Sequence, residues 1–220
     1  MEKQMQIAID GPAGSGKSTI AKLVAQKLKL TYVDTGAMYR AITWKVQAQK
    51  LEIQNQEALK ELLEHTYLEL QQTLTGQKVL CDGIDVTIAI RSLEVTALVS
   101  EVSALPQVRK YLVQEQQKYA KKNVIMDGRD IGTTVLPSAT YKFYLSAKPE
   151  IRAERRLLEL QAKGIVTDYQ QVLADILRRD AADSNRLLSP LRKAVDALEI
   201  DTSNLSIAEV VAVILSKITD

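Results

Sequence analysis

Gly11-Pro12-Ala13-Gly14-Ser15-Gly16-Lys17-Ser18 sets two glycines around four residues, directly ahead of Lys-Ser. The apolar run 5–9 leads into Asp10 and this segment, and beyond it Ile20, Leu23, Val24, Lys27 and Leu28 recur at helical spacing. The order is strand, loop, helix, the setting in which such a loop binds phosphate. Its glycines let successive backbone N–H groups turn inward on an anion, and the helix beginning near Lys17 presents its positive end. Lys17 reaches the terminal phosphates, Ser18 is placed to ligand magnesium, and Thr19 completes an ATP-binding stretch from Gly11.

A second short strand at 32–34 runs into Thr35-Gly36 and a helix from about Ala37, so the unit reads as βαβ and demands a parallel sheet. Between 51 and 95 the pattern changes. A helical stretch precedes strands at 67–74, 78–81 and 85–88, parted by Thr75-Gly76-Gln77 and Asp82-Gly83, which reads as a small antiparallel meander. Helices at 94–102 and 106–120, strands at 124–126 and 141–145, a helix from Pro149 to about Lys163 stopped by Gly164, a helix at 169–182, a strand at 198–200 and a helix at 207–218 resume the α/β pattern.

A hydrophobic share of 46% supports a full core, and a net charge of +2 gives no global field for nucleic acid, so any attraction for anions must be local. Cys81, the one cysteine, forms no internal disulfide and reads as a core or strand residue. His65, the one histidine, reads as a surface or satisfied residue, which leaves no zinc cluster and no histidine triad. The longest apolar run, 210–215, is too short to cross a bilayer; a cytoplasmic protein with no membrane partner is expected.

Three further groups bear on chemistry. Asp34-Thr35-Gly36-Ala37-Met38-Tyr39-Arg40 follows the second strand, at the edge where open α/β sheets bind ligands, though Thr35 as a helix cap and Arg40 on a solvated face would also explain it. Asp127-Gly128-Arg129-Asp130-Ile131-Gly132-Thr133 places three charges at another strand's carboxyl end, more than an ordinary turn needs. Arg152, Arg155 and Arg156 share one helix face, and Arg179, Asp183 and Arg186 another; taken alone, either set is a solvated surface.

Together these motifs resemble the bacterial cytidylate kinases over essentially the whole chain. The resemblance implies a P-loop nucleoside-monophosphate (NMP) kinase fold: a central parallel five-stranded sheet flanked by helices, in a core of residues 1–50 and 96–220. It also implies an antiparallel NMP-binding insert at 51–95 and a short helical lid at 155–169. Carried over by position, Arg40, Arg129 and Arg186 hold the CMP phosphate, with Thr35 beside them where relatives often have serine. Ser100, Arg109 and Asp130 read cytosine, Arg179 and Asp183 hold the ribose, and Arg155 and Arg156 close on the ATP phosphates. The implied partners are ATP with Mg2+ and CMP or dCMP, and a monomer is expected. The alternatives are a P-loop kinase for UMP or a small metabolite, and a non-catalytic nucleotide-binding module.

The residue inventory suits phosphoryl transfer to a phosphate. A phosphate monoester has a second pKa of about 6, so it is already a nucleophile near neutral pH and needs no side-chain base. What remains is to align two anions and neutralise the equatorial oxygens with Lys17, arginines and magnesium. Lys17→Ala is expected to abolish most turnover and leave the fold intact, because the sequence places Lys17 on a surface loop. Turnover and melting measured side by side check this; near-normal turnover with a native melt would remove Lys17 from the role.

Overall fold

The computed structural model describes residues 4–73 and 76–219. Strand β1 (Gln6–Asp10) enters the glycine-rich loop, α1 (Lys17–Leu28) returns to β2 (Thr31–Asp34), and β2 passes directly into α2 (Thr35–Ala48). Next come α3 (Gln56–Glu64), β3 (Leu68–Thr73), β4 (Gly76–Cys81), β5 (Ile84–Asp85), α4 (Leu93–Ala104) and α5 (Pro106–Lys118). The chain closes with β6 (Val124–Gly128), β7 (Tyr141–Ser146), α6 (Pro149–Ala162), α7 (Tyr169–Asn185), β8 (Leu198–Asp201) and α8 (Ile207–Thr219).

The expected five-stranded parallel sheet is present, in the order β2-β6-β1-β7-β8. Alternation along its strands sorts the core into two layers. Ala8, Val124 and Met126 pack with Met38, Ile42 and Leu112, whereas Ile7, Ile9, Ile125 and Leu145 pack with Val24 and Ile214. Each large side chain buried this way contributes about 1.5–3 kcal/mol. Leu59, Leu63, Val79, Cys81 and Ile90 belong to the first layer, so residues 51–95 share the core of α2, α5 and β6.

The antiparallel meander differs from expectation in two places. Gly76 and Gln77 are not turn residues; they pair in β4 with Thr73 and Gln72, while Leu74 and Thr75 lie outside the described residues. The third strand is only Ile84–Asp85 rather than 85–88, because the Thr87 hydroxyl takes the Val79 N–H that would continue the ladder.

Register brings three carboxylates to one edge, with Asp34 opposite Asp127 and Asp10 opposite Gly128. Asp10 is itself a brace. Its Oδ1 accepts the Ile131 N–H at 2.8 Å and its Oδ2 the Gly132 N–H at 2.7 Å, fixing the π-helical turn Ile131–Val135 after β6. Burial outweighs these donors and pushes the Asp10 carboxyl from 3.8 up to about 6. The folded chain therefore holds this proton more tightly than the unfolded chain. The resulting stability is full below about pH 4 and is lost as pH rises to about 6, by at most about 3 kcal/mol. Asp10→Asn is expected to flatten that fall in urea-unfolding free energies measured from pH 4 to 7. An unchanged slope would assign the titration to another group.

Candidate active site

The glycine-rich loop follows from close contact beneath it. Gly11 has φ +148°, and a Cβ there would lie 2.1 Å from the Leu145 carbonyl oxygen, so only glycine lets β1 turn out against β7. Gly16 caps α1 in the left-handed region without any side-chain cap, which leaves the first N–H groups of the helix facing the cleft. That cleft, of about 760 Å³, is lined on this side by Gly14, Gly16, Lys17 and Ser18.

Lys17 corrects the sequence reading of an exposed loop residue: it is 6% exposed, and its Nζ donates to the Pro12 carbonyl at 2.6 Å and the Ser15 hydroxyl at 3.4 Å. Burial, reinforced by the Arg129 charge, pulls its ammonium well below the usual lysine range. Ser18 Oγ donates to Asp127 Oδ2 at 2.7 Å, and the Tyr32 hydroxyl donates to the other oxygen at 2.7 Å. Burial, with the Asp34 charge next, pushes the Asp127 carboxyl up to about 6. Thr35 spends its hydroxyl on the Asp127 carbonyl at 2.7 Å.

The rest of the lining is rich in cations. Arg40, Arg129, Arg156 and Arg179 all line the cleft, as does Ser100 from α4. Arg40 donates to Thr96 Oγ1 at 2.8 Å, and burial pushes its guanidinium down to about 10. Arg179 is pushed down to about 9, by burial and then by the neighbouring Arg129, and among the described residues its Nε has no hydrogen-bond partner. A bound anion would relieve both strains. Arg129 differs: burial acts against its charge, but Asp183, accepting from Nε at 2.8 Å, outweighs that and holds it above its ordinary value.

Outside the cleft lining, Arg109 pairs with Asp130, and Arg186 bridges Asp130 at 3.6 Å and Asp183 at 3.7 Å. The predicted residues Arg109, Asp130, Arg186, Asp183 and Arg129 thus form one buried network. Arg109 and Asp130 are engaged with each other rather than lining the cleft. Arg155 and Arg156 are also unequal. Arg155 is tied to Thr202, donating to its Oγ1 at 3.1 Å and its carbonyl at 2.6 Å, and lines a smaller cavity of about 420 Å³ beside Thr19 and Ser206. Arg156 faces both cavities and pairs with Glu159 at 2.8 Å.

The chain belongs to the cytidylate kinase family. The family model for cytidylate kinase matches residues 7–220. A cytidylate kinase of Carboxydothermus hydrogenoformans is 51% identical over 212 residues, covering 96% of each chain. One of Bacillus subtilis is 51% identical over 219 residues, covering 99% of this chain and 98% of its own. The solved structure of an uncharacterised protein from Eubacterium ventriosum aligns over 99% of both chains with a TM-score of 0.53 at 14% identity, a likeness of fold. As a cytidylate kinase family member the chain is an ATP-dependent phosphotransferase. Among the described residues no helix is long and apolar enough to cross a membrane.

Spacing alone did not give two arginines their place. Arg91 lines the cleft and pairs with Asp34 at 3.5 Å, with no motif to announce it. Arg152 reads from sequence as part of a solvated face, yet it is 3% exposed. Its Nη1 donates to the Ala13 carbonyl at 3.0 Å and pairs with Asp180 at 2.6 Å, and its Nε donates to the Ala147 carbonyl at 2.9 Å. It therefore ties α7 to the phosphate loop. Arg152→Met should destabilise the protein by about 2–4 kcal/mol, since it strands Asp180 and the loop carbonyl. The double variant with Asp180→Leu should cost less than the two single costs added; strict additivity in urea unfolding would mean that the pair does not couple.

Proposed function

We propose that the chain transfers the γ-phosphoryl group of ATP to CMP or dCMP, giving ADP and CDP or dCDP. The observation that carries this reading is a single cleft lined both by the phosphate loop and by Arg40, Arg129 and Arg179. An acceptor that is itself an anion suits these arginines, and it needs no general base.

In this reading Lys17 and the loop N–H groups hold the ATP phosphates, and the smaller cavity beside Thr19 takes the adenosine. Ser18 and Asp127 offer a hydroxyl and a carboxylate that fit Mg2+, which would supply charge neutralisation on the ATP phosphates. Arg40, Arg129 and Arg186 take the acceptor phosphate, Arg179 and Asp183 the ribose, and Ser100, Arg109 and Asp130 the base, with Thr35 fixing the turn that carries Asp127. Residues 51–95 are the NMP-binding insert and 155–169 the lid, whose closure brings Arg155 and Arg156 to the phosphates and excludes water. Because Arg109 and Asp130 satisfy each other, base binding in this reading exchanges part of their pairing for contacts to cytosine.

A carboxylate accepts but cannot donate, so Asp130 suits the cytosine amino group and opposes the uracil carbonyl; Arg109, a donor only, suits the ring acceptor of cytosine. A mismatch of this kind costs roughly 2–4 kcal/mol, or about 30- to 1000-fold in kcat/KM. Asp130→Ala should collapse the CMP-to-UMP ratio mainly through lost CMP activity, and Asp130→Asn, which keeps the shape of the buried network, should relax it toward UMP. Steady-state kinetics with both acceptors decide. A ratio within about twofold of wild type in both variants would place base reading elsewhere.

A further inference from the structure

Strand β2 is an edge strand of the parallel sheet, and Tyr32 and Asp34 turn backbone groups toward its open side. Gln77 of β4 fills that edge with its side-chain amide. Its Nε2 donates to the Tyr32 carbonyl at 2.7 Å, and its Oε1 accepts the Asp34 N–H at 3.2 Å. A primary amide thus makes the two bonds that the N–H and C=O of one residue in a neighbouring parallel strand would make. Gln72, the cross-strand partner of Gln77, donates to the same Tyr32 carbonyl at 2.6 Å. That carbonyl is held twice, whereas the Asp34 N–H is held by Gln77.

Asp34 is the joint between β2 and α2. Its Oδ1 caps α2 by accepting the Ala37 N–H at 2.9 Å, and its Oδ2 meets Arg91, which comes from the same segment as Gln77. Arg40 lies further along α2, and its guanidinium is anchored to Thr96 and, at 3.4 Å, to the Ile90 carbonyl. The segment carrying Gln77 therefore grips the start of α2 at the backbone and at the carboxylate, one helical turn and a half before a cleft arginine.

We propose that Gln77 is a positioning residue for the acceptor side of the cleft, holding Asp34, and through it the first turn of α2, in the place that Arg40 requires. This rests on the reading that a nucleoside monophosphate binds against Arg40. Gln77 is not among the residues lining the cleft, so its effect on the acceptor must pass through Asp34.

Gln77→Leu removes both bonds; Gln77→Glu keeps an acceptor for the Asp34 N–H but has no donor for Tyr32, which retains Gln72. Steady-state kinetics with CMP and ATP, and amide exchange at Asp34 followed by NMR in the ligand-free protein, test the pair. Gln77→Leu should raise KM for CMP about five- to tenfold, with kcat and KM for ATP within about twofold, and speed Asp34 exchange at least about tenfold. Gln77→Glu should stay within about threefold of wild type in both readouts. Wild-type KM for CMP in Gln77→Leu, wild-type exchange at Asp34, or equal rises in KM for CMP and ATP would each overturn the proposal. A wild-type protein that phosphorylates no monophosphate would instead overturn the proposed function, and exchange at Asp34 would still judge the clamp.

Discussion

Asp127 is the joint on which the site depends. It is a buried carboxylate at the end of β6, and its two oxygens are taken by Ser18 at the start of α1 and Tyr32 in β2, while its carbonyl is taken by Thr35 at the start of α2. Three consecutive elements thus meet at one residue far from all of them in sequence. Burial makes the arrangement costly unless each polar atom is satisfied, and satisfying them fixes where each element ends. The crowding is severe: a Cβ at neighbouring Gly128 would lie 2.7 Å from both Thr35 Oγ1 and the Ile131 side chain.

Around that joint the protein concentrates charge that its overall composition conceals. A chain of net charge +2 presents Lys17, Arg40, Arg129, Arg156 and Arg179 to one cleft. Asp183 balances Arg129, while Arg40 and Arg179 are buried enough to be held below the ordinary arginine range. Preorganised cations in a poorly solvated site are the electrostatic requirement of phosphoryl transfer, because little reorganisation is needed when charge develops. Their instability without an anion is then part of the binding energy, and Asp183 and Asp180 limit it to what the fold tolerates.

The parallel sheet and the phosphate loop were legible because periodicity and glycine placement are local properties. The short β5 was not: Thr87 competes for the Val79 N–H through its hydroxyl, a choice that depends on the hairpin having already formed. Gly76 and Gln77 looked like a turn for the same reason, since glycine in a strand edge and glycine in a turn read alike until pairing is known. Arg152 was hidden in an arginine face whose members point to three different partners, Asp180, Thr202 and Glu159.

By itself the sequence determined the strand-loop-helix order, the parallel sheet, the identity of the phosphate loop and the sets of charged residues at strand ends, because spacing along a strand or helix places side chains on faces without reference to the rest of the chain. Only the tertiary structure decided that Lys17 is buried, that Arg109 and Asp130 face each other, that Arg155 is tied to Thr202 while Arg156 faces the cleft, and that Gln77 closes the edge of β2. Those outcomes turn on desolvation and on which distant polar group lies within hydrogen-bond reach, and neither quantity exists until the elements have packed.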